Sequence, residues 1–143
     1  PMPDKLEKLV EMFQMFDPGD RTDLLLSYAD QFKEVPPSLA TRPFSKSHQI
    51  PQCESDAYVW AQKHADGTLN LYFAVENPSG ISAKALAAIL DKTLSGLPAT
   101  EIATVNTDIV ERIFRQNISM GKGMGLMSMV QAVQALAKAA SKS

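Results

Sequence analysis

The feature that most restricts the fold of this chain is an alternating stretch over residues 57–76, centred on the pair Asp66-Gly67. Before the pair, Tyr58 and Trp60 alternate with smaller residues. After the pair, one face collects apolar side chains at every second position: Leu69, Leu71, Phe73 and Val75. An Asp-Gly pair between two such runs is typical of a tight β-hairpin. The sequence therefore predicts two adjacent antiparallel strands with one face against a core.

The remainder of the chain has the spacing of helices, because apolar residues recur at every third or fourth position. The predicted helices cover residues 4–16, 21–32, 82–94, 107–115 and 125–139. With the hairpin, this order predicts an α+β fold: a small antiparallel sheet of about three strands, packed on one side by N-terminal and C-terminal helices. The length of 143 residues predicts a single domain over 1–143. A start at Pro1, without methionine, leaves open whether the chain belongs to a longer protein.

Composition excludes several classes of protein. The formal net charge is -2 and the basic residues are scattered, whereas a nucleic-acid binder normally has a basic stripe. No segment reaches the ~18 uninterrupted apolar residues of a membrane span. A single cysteine permits no internal disulfide and no cysteine-based metal cage. We therefore expect no metal site, no nucleic acid, no membrane insertion and a reducing, cytoplasmic location.

The single cysteine, Cys53, follows a long proline-containing connection over residues 34–52. A free cysteine is usually a small buried hydrophobe, so an inert packing role is the first reading. Its place in a polar loop just before a strand favours a working role, since loops on a rigid scaffold carry many functional residues. The flanking Glu54 and Asp56 supply no activating positive charge. Activation of the thiol would then come from the fold or from a partner.

A Cys-His dyad has little support. A thiol enzyme needs a base within reach of its cysteine, and the candidates are His48 and His64. Five extended residues separate His48 from Cys53 by about 15 Å unless the chain turns. His64 lies far along the first strand, where solvent or a sheet face is the expected environment.

Two further segments allow more than one reading. The glycines of "GKGMG", residues 121–125, predict a flexible connection between helices; a phosphate-binding loop needs a different pattern after a strand. Four methionines cluster close by: Met120, Met124, Met127 and Met129. Methionine at helical spacing indicates adaptable core or a partner-binding surface, and a copper site is the weaker alternative.

Taken together, "IPQCESDAYVW", the hairpin and "LYFAVENPSGISAKALAAIL" resemble the SufE family. The family motif reads approximately V-x-G-C-Q-S-x-V-W. On this sequence it starts at Ile50 and places its cysteine at Cys53, with Gln52 for the glycine, Glu54 for the glutamine, Ser55 at the serine, Ala57 for the valine and Tyr58 for the tryptophan. A later S-R-S-x-G-L stretch is echoed by "GKGMGL", with Lys122 at the arginine. The resemblance spans nearly the whole chain.

This resemblance implies a sulfur acceptor and carrier with the SufE/IscU-like fold. A pyridoxal-phosphate cysteine desulfurase, the partner, would pass a persulfide sulfur to Cys53. The carrier would stimulate the desulfurase and deliver sulfur to an iron-sulfur scaffold complex, and would hold no cofactor of its own. Gln52, Ser55 and Asp56 would shape the cysteine loop together with Glu54. Lys122 and His48 are candidates for docking the partner or stabilising the persulfide.

Other functions remain open. An iron-sulfur scaffold would bind metal through about three cysteines, so one cysteine argues against it. A stand-alone thiol enzyme would turn over without a desulfurase. A regulatory interaction module would keep every activity when Cys53 is replaced by serine.

Overall fold

Six helices and one hairpin form the chain in the computed structural model, which describes residues 1–142. The elements in chain order are α1 (Asp4–Met15), α2 (Pro18–Asp30), β1 (Ala57–Lys63), β2 (Leu69–Val75), α3 (Ile81–Leu94), α4 (Ala99–Ile102), α5 (Asp108–Phe114) and α6 (Met120–Ser141), with 3₁₀ turns at Lys46–His48 and Arg115–Asn117. The α+β class is confirmed. Along residues 1–142, each helix is too short or too polar to cross a lipid bilayer.

The hairpin is formed where the alternation predicts it. β1 and β2 pair antiparallel from Ala57 opposite Val75 to Lys63 opposite Leu69. Gly67 in the turn has a φ of 87°, a left-handed conformation that glycine adopts without a steric penalty. The period-2 pattern and the turn residues therefore set the register together.

The expected third strand is replaced by single bridges. Within residues 1–142 the sheet has two strands, and isolated bridges join Glu34 to Phe73 and Gln49 to Tyr58. The connection that would supply a third strand contains four prolines. Proline has no backbone N–H to donate to a ladder, so the pairing stops after one bridge at each place.

The two faces of the hairpin pack against different parts of the chain. Leu71, Phe73 and Val59 join the main core, which the helices cover. Tyr58 and Trp60 face the other way and pack with Val35 and Phe44 of the proline-containing connection. Helices thus cover one side of the sheet, as predicted, and the long connection covers the other. This explains why aromatic residues alternate with aliphatic ones along β1.

Two helices start earlier than their apolar spacing indicates. α2 begins at Pro18, because the Asp17 side chain accepts a hydrogen bond from the Asp20 N–H and caps the helix. α6 begins at Met120, with Ser119 as its cap. The prediction of a flexible connection at 121–125 is therefore wrong: these glycines lie in the first turns of α6.

Arg21 is a buried cation that no sequence pattern singles out. It is 4% exposed, and its guanidinium donates to the Phe16 carbonyl at 2.6 Å and to the Asn117 side-chain oxygen at 3.2 Å. Asn117 in turn donates to the Pro18 carbonyl at 3.1 Å. Arg21 thereby satisfies a carbonyl just after the end of α1 and joins it to the segment before α6.

Candidate functional site

Cys53 lies in a closed loop that leads into β1. The Ile50 N–H donates to the Ala57 carbonyl at 2.8 Å and closes the loop at its base. The Asp56 N–H donates to the Cys53 carbonyl at 3.1 Å and tightens its second half. Cys53 is free, half-buried and packed against the edge of the main core. The thiol therefore lies in a loop that hydrogen bonds hold in place, and it is partly exposed to solvent.

The loop is also attached to the end of β2. The Asn77 N–H donates to the Ser55 carbonyl at 3.1 Å, and the Glu76 N–H donates to the Asp56 carbonyl at 3.0 Å. Because these bonds are between backbone groups, they fix the path of the loop whatever the side chains are. They hold Ser55 and Asp56 beside the segment that starts α3.

Two residues of the loop adopt left-handed backbone conformations. Gln52 has a φ of 58° and Asp56 a φ of 51°. For a residue with a Cβ this region costs about 1–2 kcal/mol, although aspartate tolerates it better than most. The SufE motif quoted above has glycine at the position of Gln52, and glycine adopts such a conformation without a steric penalty. Here Gln52 adopts the same turn at a steric cost.

Two helices approach the loop closely, and a glycine lies at each contact. A Cβ on Gly80 would lie 2.9 Å from the Ser55 hydroxyl oxygen, and one on Gly125 would lie 3.1 Å from the Gln52 carbonyl oxygen and 3.3 Å from the Cys53 Cα. Gly80 is the N-cap of α3, and Gly125 lies in the second turn of α6. The loop is therefore held between the beginnings of two helices.

A small polar cavity lies where these helices and the loop meet. Its volume is about 90 Å³, and it is lined by loop residues, by the first turn of α3 and by the first turns of α6. Cys53, Glu54 and Ser55 come from the loop, Ser82 from α3 and Lys122 from α6. Helix starts carry partial positive charge and free N–H groups, which favour an anion. The cavity thus places Cys53 between two helix starts, with the Lys122 cation and the Glu54 carboxylate among its lining residues.

The structure brings most of the predicted site residues to the loop. Glu54, Ser55 and Lys122 line the inner cavity with Cys53. Gln52 and Asp56 line an outer depression of about 610 Å³ on the other side of the loop, which Cys53 and Glu54 also border.

The histidines are not among the lining residues of either space. The His48 ring stacks on Trp60 with ring centres 5.2 Å apart, and its Nδ1 lies 3.1 Å from the Val59 carbonyl oxygen. His64 is exposed at the hairpin turn. In this arrangement neither histidine is a neighbour of the thiol. His48 instead packs on the face of the sheet that the long connection covers, where Trp60 lies.

The methionine cluster divides between two environments. Met129 is fully buried in the main core. Met120, Met124 and Met127 are exposed at 85%, 51% and 36%. Their spacing places them on one face of α6, roughly opposite the face whose residues line the cavity. In residues 1–142 no group of three or more His, Cys, Asp or Glu could hold a metal ion.

Sequence reasoning missed the small residues that build the cavity. Gly80 and Gly125 set the approach of the two helices, and Asn77 supplies a lining side chain as well as a backbone bond to the loop. The sequence does contain a signal for these contacts. Gly80 lies at the start of one helical pattern and Gly125 inside another, and a glycine within a regular element often marks close packing.

The close contact at Gly125 gives a testable prediction. Alanine favours a helix over glycine by about 1 kcal/mol, so Gly123→Ala, whose added methyl meets only Ile118 at 3.5 Å, should stabilise the chain. In Gly125→Ala the same gain is opposed by collision with the loop backbone at 3.1 Å. We expect Gly125→Ala to be less stable than Gly123→Ala and to increase alkylation of Cys53 by iodoacetamide.

Chemical unfolding and thiol-alkylation rates on both variants check this prediction. Equal gains in stability with unchanged alkylation would show that the loop and α6 are not in close contact.

Comparisons with known proteins identify the family of this chain. Residues 7–137 match the family model described as "SufE: Fe-S metabolism associated domain". A SufE-like protein 1 of Arabidopsis thaliana, described as chloroplastic/mitochondrial, is 28% identical over 135 residues, which cover 93% of this chain and 34% of that protein. The chain therefore spans about a third of that relative's length.

A structural comparison supports the fold. The solution structure of a hypothetical protein from Thermus thermophilus superposes with a TM-score of 0.78 at 24% identity, with all of both chains covered. Because the family model matches most of its length, this chain belongs to the SufE family, the Fe-S metabolism associated domain.

Proposed function

We propose that this protein is a sulfur acceptor and carrier that takes sulfur from a cysteine desulfurase onto Cys53 and passes it to iron-sulfur cluster assembly. The observation that carries the proposal is the position of the chain's single cysteine at a polar cavity between two helix starts. Membership of a family associated with Fe-S metabolism supplies the context. The protein acts as an activator of its partner and has no turnover of its own.

The proposed step is a thiol–persulfide exchange. The Cys53 thiolate attacks the outer sulfur of a cysteine persulfide on the desulfurase. A bond forms between Sγ of Cys53 and that outer sulfur, and the bond between the two donor sulfurs breaks. The donor leaves as a thiolate, and Cys53 becomes a persulfide, so no external oxidant or reductant is needed. A single cysteine suits this step, because a second nearby thiol would discharge the persulfide as a disulfide.

The helix starts around the cavity support an anionic sulfur. Gly80, the N-cap of α3, has no side chain to occupy the first-turn N–H groups of that helix. Lys122 adds a cation from α6 to the lining. Against these groups stands the carboxylate of Glu54, which faces the same cavity. Fixed dipoles in a partly buried site act more strongly than in water, so they would interact favourably with the charge of a bound persulfide sulfur.

The exposed methionines support a protein as the sulfur donor. Met120, Met124 and Met127 form an exposed apolar stripe near the start of α6, on the face opposite the residues that line the cavity. Such a surface fits a protein partner better than a small molecule. Methionine is flexible and adapts to different partner surfaces. We place the docking surface for the desulfurase at the mouth of the cavity, where Lys122 lies, and extend it around the start of α6 to this stripe. The pyridoxal phosphate belongs to the partner, and a reducing compartment such as the cytoplasm would keep Cys53 free.

Intact-mass spectrometry after mixing the protein with a cysteine desulfurase and free cysteine tests the proposal. We expect a gain of about 32 Da, the mass of one sulfur atom, in the intact protein, and digestion followed by peptide mapping should place it on Cys53. The matched control is the same mixture without cysteine, in which the mass stays unchanged. In a second arm of the experiment, a small-molecule persulfide replaces the desulfurase. This arm tests whether Cys53 can carry the sulfur when no partner protein is present.

The two arms separate the possible results. Modification by both donors supports the carrier function. An unmodified Cys53 with both donors, while the desulfurase turns over, would make the cysteine inert and leave the interaction module as the function. Turnover of cysteine by this protein alone would indicate a thiol enzyme.

A further inference from the structure

A second depression lies at the other end of α3 from the cysteine loop. Its volume is about 460 Å³. It is lined by Lys5, Lys8, Leu9 and Met12 of α1, Tyr28 of α2 and Lys92 and Thr93 of α3. We call this surface the lysine groove. Ile81 borders the cysteine cavity, and Lys92 follows it by three turns of helix, which places the two sites about 16 Å apart along α3.

One face of α1 forms the long wall of the lysine groove. Lys5, Lys8, Leu9 and Met12 follow the spacing i, i+3, i+4 and i+7, so they share a face of the helix. Leu6, Val10 and Phe13 are turned into the core. The acidic residue Glu7 is paired with Arg112 of α5 through a charge-assisted hydrogen bond. Its carboxylate is therefore directed away from the groove.

The charge of the groove is uniformly positive. Its lining contains three lysines and no carboxylate. Within residues 1–142, no ion-pair partner lies within 4 Å of Lys5, Lys8 or Lys92, since the ion pairs of this part of the chain involve Arg42 and Arg112. Asp4 and Glu101 line an adjoining depression, which Lys5 and Lys92 also border. A molecule in the groove therefore meets three lysines and no carboxylate among the lining residues.

The floor of the groove is apolar. Met12 is 37% exposed, and Leu9 and Tyr28 are half-buried against the core. Burial raises the pKa of the Tyr28 hydroxyl, so this side chain adds no negative charge at neutral pH. The combination of an apolar floor and a cationic rim selects a ligand that is both apolar and acidic.

We propose that the lysine groove binds an acidic peptide segment of a partner protein, with carboxylates on the lysines and one or two large apolar side chains on the floor. The volume falls in the range of about 300–1,000 Å³ that is usual for binding sites. An anionic membrane is a poorer candidate for the groove, because its planar surface does not reach the concave floor. A nucleic acid is a poorer candidate as well, because three lysines on a chain of net charge -2 are too few to bind its phosphates. The groove is separate from Cys53, so both sites can be occupied together.

The test uses the peptide Glu-Glu-Leu-Phe-Glu-Glu-Leu-Glu and the full chain with a ¹⁵N label. Amide shifts are followed by NMR at low salt. We expect saturable shifts at Lys5, Lys8, Met12 and Lys92, unchanged signals at Cys53, and a dissociation constant of roughly 10–500 µM. Raising the salt concentration to about 0.5 M should weaken binding, because the contacts on the rim are exposed ion pairs.

Charge reversal and control peptides make the test decisive. Lys8→Glu combined with Lys92→Glu should weaken binding about tenfold or more. Lys138→Glu combined with Lys142→Glu changes the net charge equally at the end of α6 and should leave binding unchanged. A peptide with lysine in place of every glutamate should not bind. Any one of four results would overturn the proposal. Two concern the peptide titration: no saturable amide shift at peptide concentrations below about 1 mM, or shifts at residues outside the groove. The others are a dissociation constant that Lys8→Glu with Lys92→Glu leaves unchanged, and binding to anionic vesicles in place of the peptide.

Discussion

Replacing Cys53 by serine is expected to reduce the desulfurase rate to that of the desulfurase alone. A serine hydroxyl does not attack the outer sulfur of a persulfide under these conditions, because it is hardly ionised and forms no stable bond of this type. The loop should keep its shape, since its closing hydrogen bonds are made by backbone groups of Ile50 and Ala57. The measurement is sulfide release from cysteine by the desulfurase, with and without the variant.

A relocated thiol provides the matched control. Cys53→Ser combined with Ser45→Cys keeps one cysteine in the chain and places it at an exposed position outside both depressions at the loop. We expect no recovery of stimulation, while binding to the desulfurase persists in both variants. Stimulation that survives in Cys53→Ser, or returns with Ser45→Cys, would contradict the role given to this site.

Replacing Phe73 by alanine is expected to lower the free energy of unfolding by about 3–5 kcal/mol. Phe73 is 2% exposed, lies in the middle of β2 and faces the main core. Removing its ring leaves a cavity that the surrounding helices fill only in part, so both transfer free energy and packing are lost. Urea unfolding followed by circular dichroism measures the change.

The neighbouring residue supplies the control for that prediction. Tyr72 precedes Phe73 on the same strand but points to the opposite, half-exposed face, where its hydroxyl donates to Gln62 at 3.3 Å. We expect Tyr72→Ala to cost about 1 kcal/mol. If Phe73→Ala does not fold, Phe73→Leu should still cost more than Tyr72→Ala. Equal costs at the two positions would mean that the faces of β2 have been assigned wrongly.

Much of the fold could be predicted because its signals are local. The turn at Asp66-Gly67 and the alternation on either side of it define the hairpin through side-chain period and backbone preference alone. The start of α6 was predicted too late, since the glycines at 121–125 are poor helix formers. The cap at Ser119 and the packing against the cysteine loop compensate for that low propensity.

The candidate site was predicted less completely than the fold. Cys53 could be singled out by its uniqueness and by its loop, and Lys122 by its place in a motif. His48 could not be located, because the 3₁₀ turn at Lys46–His48 and the stacking on Trp60 depend on how the connection packs on the sheet. No sequence pattern singles out Arg21, and only the burial of its guanidinium identifies it as structural.

The sequence by itself determined the hairpin, the helical segments and the identity of the one thiol, because each depends on neighbours along the chain. The tertiary structure alone decided what surrounds that thiol. Gly80 and Gly125 lie far from Cys53 in sequence, and only packing brings two helix starts against its loop. The cavity and the lysine groove likewise arise between elements, where the space depends on side chains from several segments. Periodicity predicts which face of an element is buried, but it carries no information on which elements meet.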